Sequence, residues 1–196
     1  MVSGKDWTGN YHSVCGTLGA RNEVKEEREE HDYYATEPRA VELLMNLEQF
    51  NKNIWEPACG EGHISKVLEK YGYNVKSTDL IDRGFGEGGV NFFNCFDKFD
   101  GDIVTNPPYK YALEFVQHAL ALLHDGQKCC MFLKVQFLEG KARKEFFLQN
   151  PPKTVWVSSS RLMCGKNGKF ETAMVAYAWY VWEKGYKGDT ILKWFN

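Results

Sequence analysis

The chain has 196 residues, 43% hydrophobic and 26% charged, with a formal net charge of −2. That length suits one domain with a single core, and the near balance of charge gives no overall pull toward nucleic acid, so any such contact must come from a local basic face. No apolar run approaches the roughly 20 residues of a membrane span, and Met1-Val2-Ser3-Gly4-Lys5 does not lead into the apolar stretch of a secretion signal, so a cytoplasmic location is expected.

Taken in order, residues 1–32 are expected to form an arm and a charged linker ahead of one domain over 33–196. The arm is glycine-rich with scattered aromatics, and Glu23 to Asp32 is mostly Glu with Lys25 and Arg28 between, which reads as a solvated face. Tyr33-Tyr34-Ala35-Thr36-Glu37-Pro38 opens a helix with Val41, Leu44, Met45 and Leu47 on one side. Thr36 is placed to cap it, and Pro38 is tolerated in its first turn. Ile54-Trp55 is a short strand entering Glu56-Pro57-Ala58-Cys59-Gly60-Glu61-Gly62, after which Ile64, Val67, Leu68 and Tyr71 recur at helical spacing. Strand, glycine turn and helix in that order let backbone N–H groups approach a ligand closely. Tyr73 to Thr78 reads as the second strand, ending at Asp79, where an acid in a βαβ nucleoside site grips ribose hydroxyls.

Beyond the glycine-rich loop Gly84 to Gly89 and the short segment Asn91-Phe92-Phe93, strands are expected at Asp102 to Thr105, Lys128 to Val135, Thr154 to Ser158 and Glu171 to Trp182. Helices are expected over Tyr111 to His124 and from Lys141 to Phe147, and a last turn, Gly185 to Gly188, precedes Ile191 to Trp194. Strands alternating with helices imply an α/β, doubly wound parallel sheet, with the final strands, which lack a helix between them, antiparallel. The six cysteines (Cys15, Cys59, Cys95, Cys129, Cys130, Cys164) show no C-x-x-C spacing and read as reduced and structural, with no metal site expected.

The stretch the chain is organised around is Asp102-Ile103-Val104-Thr105-Asn106-Pro107-Pro108-Tyr109. Neither proline can continue a ladder, and each keeps the residue before it out of the helical region. The Asn106 side-chain oxygen and the Pro107 carbonyl can then accept from one exocyclic amino group while the Tyr109 ring lies flat against the ring that carries it. Such an amino group is a poor nucleophile because its lone pair is delocalised. Two acceptors on its hydrogens favour a more tetrahedral nitrogen aimed at an electrophile.

Asn-Pro-Pro-Tyr after an apolar strand resembles motif IV of the amino-methyltransferases that use S-adenosylmethionine. With the other pieces in this order, the chain from about Tyr33 to Trp182 resembles class I S-adenosylmethionine-dependent methyltransferases, in particular the phage-type N6-adenine DNA methyltransferases. The resemblance implies a mostly parallel, Rossmann-like sheet of seven strands with an antiparallel C-terminal strand. It also implies base flipping and catalysis by Asn106, Pro107, Pro108 and Tyr109 without a metal. For the cofactor it implies Tyr34 and Thr36 near the methionine carboxylate, Glu56, Pro57, Ala58, Cys59, Gly60 and Gly62 around the methionine part, Asp79 on the ribose and Leu80 on the adenine, with Asn106 also in contact with the cofactor. Asn91-Phe92 stands where the family commonly has Asp-Phe at the cofactor adenine, and either Asn91 or Asn94 could accept there. Lys110, Lys141, Arg143, Lys144, Arg161, Lys166 and Lys169 are candidates for phosphate contact. The same motif suits methylation of a glutamine amide in a protein, and the non-acidic Asn91 suits a cofactor-binding subunit without catalysis.

Overall fold

The computed structural model of the chain describes residues 34–162, 164–165 and 175–196. The expected arm over 1–32, Lys166, Lys169 and the start of the expected strand at Glu171 therefore lie outside the described residues.

In chain order the elements are β1 (Ala35–Thr36), α1 (Pro38–Met45), β2 (Asn53–Glu56), α2 (His63–Lys70), β3 (Asn74–Ser77), β4 (Asp102–Thr105), α3 (Ala112–Leu122), β5 (Lys128–Lys134), α4 (Lys141–Gln149), β6 (Thr154–Ser158), β7 (Cys164–Gly165), β8 (Tyr177–Glu183) and β9 (Ile191–Phe195). Seven of the strands join in one sheet in the order β3-β2-β4-β5-β8-β6-β9. β3, β2, β4 and β5 are parallel neighbours, β8 runs antiparallel to both β5 and β6, and β9 is parallel to β6 at the far edge. The antiparallel strand is thus inserted before the chain's last strand, which returns past β6 in β6's own direction. β1 and β7 pair separately, Ala35 with Gly165 and Thr36 with Cys164.

Central strands of such a sheet are buried on both faces, so their residues are apolar in succession rather than in alternation. The two-residue period then divides each pair between two layers. Trp55, Ile103, Cys129 and Met131 pack with Phe115 and Val116 of α3 and Phe146 of α4, whereas Ile54, Val104, Cys130 and Phe132 pack with Val41 and Leu44 of α1 and Ile64 and Leu68 of α2. Two buried indoles are satisfied across elements: Trp55 Nε1 donates to Thr78 Oγ1 at 2.9 Å, and Trp179 Nε1 to the Ala40 carbonyl at 2.9 Å.

One local expectation is corrected. Thr36 does not cap α1, whose N-terminal residue Glu37 makes no side-chain cap either. Thr36 is extended in β1, and its hydroxyl lies 3.0 Å from Asn106 Nδ2. Because β2 to β5 are parallel, Glu56, Asp79, Asn106 and Lys134 all fall at or just beyond carboxyl ends on one edge of the sheet. The strand order turns back between β2 and β4, which is where open α/β sheets form ligand crevices.

Candidate active site at the carboxyl edge of the sheet

β2 ends in Glu56, and Pro57 to Gly62 turn the chain into α2. The turn uses backbone that other residues adopt only with strain: Gly60 has φ 55° and Gly62 φ 79°. A Cβ on Gly62 would lie 2.4 Å from carbons of the Phe85 ring, so the loop after β3 closes directly onto the turn. Asp79 fastens it from the side, with Oδ2 accepting from Gly60 N–H at 2.8 Å and Oδ1 from Ile81 N–H at 2.9 Å.

Glu56 is 1% exposed. Its Oε2 accepts from Ser65 N–H at 2.8 Å and from the Ser65 hydroxyl, which in turn lies 2.6 Å from the Ser77 hydroxyl. Burial pushes the carboxyl up to about 8, Ser65's two hydrogen bonds pull it back, and the nearby Asp79 and Glu69 add to the rise. At neutral pH Glu56 is therefore mostly the neutral acid, ready to ionise beside an arriving cation. The unfolded chain releases this proton near an ordinary carboxyl value and the folded one only near 8, so the folded state binds more protons between them and stability falls as pH rises through that window. Thermal midpoints of Glu56→Gln and the parent chain, compared from pH 5 to pH 9, should show the Gln variant gaining relative to the parent up to about pH 8 and levelling off above it. A constant difference would show that Glu56 ionises normally.

Asn106 follows directly on β4. Both hydrogens of its amide nitrogen are taken: Nδ2 donates to the Tyr34 carbonyl and to Thr36 Oγ1, each at 3.0 Å, with Cys164 Sγ at 3.8 Å. Its oxygen, Oδ1, is buried and has no partner among the described residues. An unmet buried acceptor costs about 1–3 kcal/mol, and here it belongs to the residue whose oxygen is wanted as an acceptor. The Tyr109 hydroxyl lies 3.3 Å from Cys164 Sγ, its ring stacks on Tyr34 with centroids 5.6 Å apart, and Lys134 Nζ lies 4.8 Å from the ring's centre. Burial holds the Tyr109 phenol well above its ordinary value, so it stays neutral.

These groups share one cleft of about 950 Å³. Of the residues singled out from the sequence, Tyr34, Thr36, Glu56, Pro57, Ala58, Cys59, Asp79, Leu80, Asn91, Phe92, Asn106, Pro108 and Tyr109 line it. Gly60, Gly62 and Pro107 are buried and are not among its lining residues. Asn91 lines it and Asn94 does not; the Asn91 oxygen already accepts from Phe93 N–H at 3.0 Å, closing the 3-10 turn that seats Phe92 against Trp55. Leu80 offers an apolar surface 52% exposed. Of the basic candidates, Lys110 lines the cleft, while Arg143 is turned inward over the Phe137 ring and onto the carbonyls of Gln136 and Glu139.

Lys134 and Cys164 are among the site residues that the sequence reading missed. Lys134 ends β5, and the rule that parallel neighbours finish at one edge was enough to find it. Cys164 carried no signal, since it reaches the site only through the two-residue ribbon of β1 and β7. The five described cysteines are free thiols, and no group of three or more metal-binding side chains occurs among the described residues. No helix among them is long and apolar enough to cross a membrane.

No protein-family model matches the chain, and no curated protein matches it. Solved structures do. A protein described as the modification subunit of a type I restriction enzyme from Vibrio vulnificus is 15% identical with TM-score 0.56, over 83% of this chain and 47% of its own. A protein from Listeria monocytogenes described as a class I S-adenosylmethionine-dependent methyltransferase is 13% identical with TM-score 0.57, over 93% and 71%. One from Pyrococcus horikoshii described as an RNA methyltransferase is 12% identical with TM-score 0.55, over 88% and 97%. This chain has the class I S-adenosylmethionine-dependent methyltransferase fold. It spans about half the length of the Vibrio subunit.

Proposed function

We propose that the chain transfers a methyl group from S-adenosylmethionine to the exocyclic N6 of adenine in DNA. The observation that carries this is the Asn106 amide, fixed through its nitrogen and left with a bare acceptor oxygen, in the same cleft as the glycine turn. The cofactor fits the residues present. Glu56 faces the cleft as a buried acid that a cationic ligand would ionise, Asp79 keeps lone pairs for hydroxyls, and Leu80, Asn91 and Phe92 supply a flat apolar wall with one amide. When bound, the cofactor supplies an electrophilic methyl group on a sulfonium, which leaves as a thioether.

The chain's own part is positioning. Asn106 Oδ1 accepts from the N6 amino group and biases its lone pair toward the methyl, and the proton released after transfer passes to solvent. The base is drawn from its stack at a cost of a few kcal/mol, offset by stacking and hydrogen bonds in the cleft. Lys110, Lys141, Lys144 and Arg161 are exposed and are the basic candidates for phosphate contact. The restriction-modification and RNA-methyltransferase neighbours are consistent with a nucleic-acid substrate.

Labelled S-adenosylmethionine incubated with the chain and with separate pools of DNA, RNA and protein is the test. Label in N6-methyladenine of DNA is expected. Label in glutamine, or cofactor binding with no transfer to any pool, would replace the reading with one of the alternatives.

The hydroxyl of Thr36 gives a finer check. Thr36→Val keeps the shape of β1 and releases one hydrogen of the Asn106 amide, so kcat should fall about tenfold while cofactor affinity stays within about threefold, and Thr36→Ser should recover most of the loss. A loss seen only in cofactor affinity would place Thr36 on the methionine carboxylate instead.

A further inference from the structure

β9 closes the sheet at the edge away from β3, and among the described residues no strand pairs with its outer side. Free N–H and C=O groups on an edge template pairing with another chain, so edge strands are commonly short, charged or covered. This one exposes Ile191, Leu192 and Trp194 by 47%, 43% and 67%, with Lys193 its one charged residue. Its ladder to β6 fixes which backbone groups are left over. Ile191 N–H donates to the Lys153 carbonyl and the Phe195 carbonyl accepts from Ser159 N–H, both at 3.0 Å. Alternate residues of a strand turn to the same neighbour, so the N–H and C=O of Leu192 and Trp194 point outward. Their side chains share a face with Val155 and Val157, on the side of α3 and α4, while Phe195 packs on the side of α1 and α2.

We propose that β9 is the contact surface for a second copy of this chain, pairing antiparallel about a two-fold axis through Lys193. The strand is self-complementary in that register. Leu192 faces the second copy's Trp194 and exchanges both backbone hydrogen bonds with it, and the reciprocal pair does the same, so every outward group of the two residues is satisfied. On the opposite face Ile191 meets the second copy's Phe195. Reciprocity of this kind is what an isologous contact requires. The two Lys193 side chains meet at the axis, where like charges repel. Each is drawn back over its own Trp156 ring, one strand inward, with Nζ 4.9 Å from the ring's centre. The repulsion that remains keeps the pair reversible. So does the size of the patch, since β9 has 5 residues and a stable interface takes about 20–30 a side. Dissociation in the micromolar range is therefore expected. Antiparallel pairing turns the two carboxyl edges in opposite directions, so both clefts stay open and the contact is separate from the reaction proposed above.

Sedimentation velocity of the full chain, at concentrations spanning about 1 to 200 µM to suit a weak interface, tests the pairing. The weight-average mass should rise toward twice that of the monomer. Trp194→Lys should weaken association about thirtyfold or more, as loss of a buried aromatic anchor does, with a far-UV spectrum like the parent's. Leu192→Pro removes an outward N–H and spares the ladder to β6; it should act alike and decides the matter if the lysine variant fails to fold. Lys193→Cys should give a reducible crosslinked dimer under mild oxidation that the parent does not give, because directly opposed residues bring their Cα atoms within disulfide range. A parent chain that stays monomeric throughout, or that assembles without limit, would overturn the proposal. So would a dimer that survives both substitutions in β9, or a Lys193→Cys chain that crosslinks no more than the parent.

Discussion

Asn106→Ala is expected to reduce methyl transfer by about a hundred- to a thousandfold, the scale on which losing one preorganised hydrogen-bonding group acts in a closed site. Affinity for S-adenosylmethionine should stay within a few fold. The amide's oxygen is the group without a partner, so under the proposed function its removal takes away an interaction made only with the reacting amino group. Its nitrogen, in contrast, serves the carbonyl of Tyr34 and the hydroxyl of Thr36. Asn106→Asp separates the two roles, because it keeps an acceptor but sets a second oxygen against the Tyr34 carbonyl; it should lose nearly as much activity. Equilibrium binding of the cofactor beside single-turnover transfer reads both effects, and parallel loss of binding and transfer in the Ala variant would show that Asn106 merely holds the cleft together.

Gly62→Ala is the second large effect expected. The new methyl group would meet Phe85 ring carbons at 2.4 Å and would sit on a residue with φ 79°. Left-handed backbone costs a non-glycine residue about 1–2 kcal/mol, and overpacking typically adds about 1–3 kcal/mol. The melting temperature should drop by several degrees at roughly 2–4 °C per kcal/mol for a chain of this size. Cofactor affinity should drop with it, because the same turn lines the cleft through Pro57, Ala58 and Cys59 and carries Gly60, whose N–H is fastened to Asp79. Pairing the change with Phe85→Ala relieves the clash but not the backbone strain, so the double variant should recover only part of the stability. Calorimetric melts of the three variants measure both contributions, and a Gly62→Ala chain that melts with the parent would refute the close packing of the loop on the turn.

The reach of sequence reasoning in this protein follows the range of the interactions involved. β4, β5 and β6 stand out in the sequence because central strands are apolar on both faces and bounded by turn residues; the expected Asp102 to Thr105 and Thr154 to Ser158 match the strands observed. Glu56 to Gly62 was legible because strand, glycine turn and helix follow one another without interruption. Thr36 was misread as a cap because local chemistry favours a hydroxyl ahead of a helix, while its actual partner lies just past another strand, seventy residues away. Cys164 and the stack of Tyr34 on Tyr109 depend on a ribbon of two residues per strand, too short to show any period. The expected strand from Glu171 is observed from Tyr177, and β9 carries mostly exposed side chains, so neither its partner nor its direction could be inferred from burial.

The insertion of β8 has a consequence for how such a molecule can diversify. β6 finishes at the edge of the sheet that bears the cleft, and β8, running the opposite way, starts from that same edge, so the connection between them is tethered at both ends beside the site. The entropy of closing a loop grows only with the logarithm of its length, about 0.6 kcal/mol per doubling. Extra residues spliced between β7 and β8 would leave the register of β5, β6 and β8 untouched, making this an inexpensive place for selection to add or withdraw length beside the cleft.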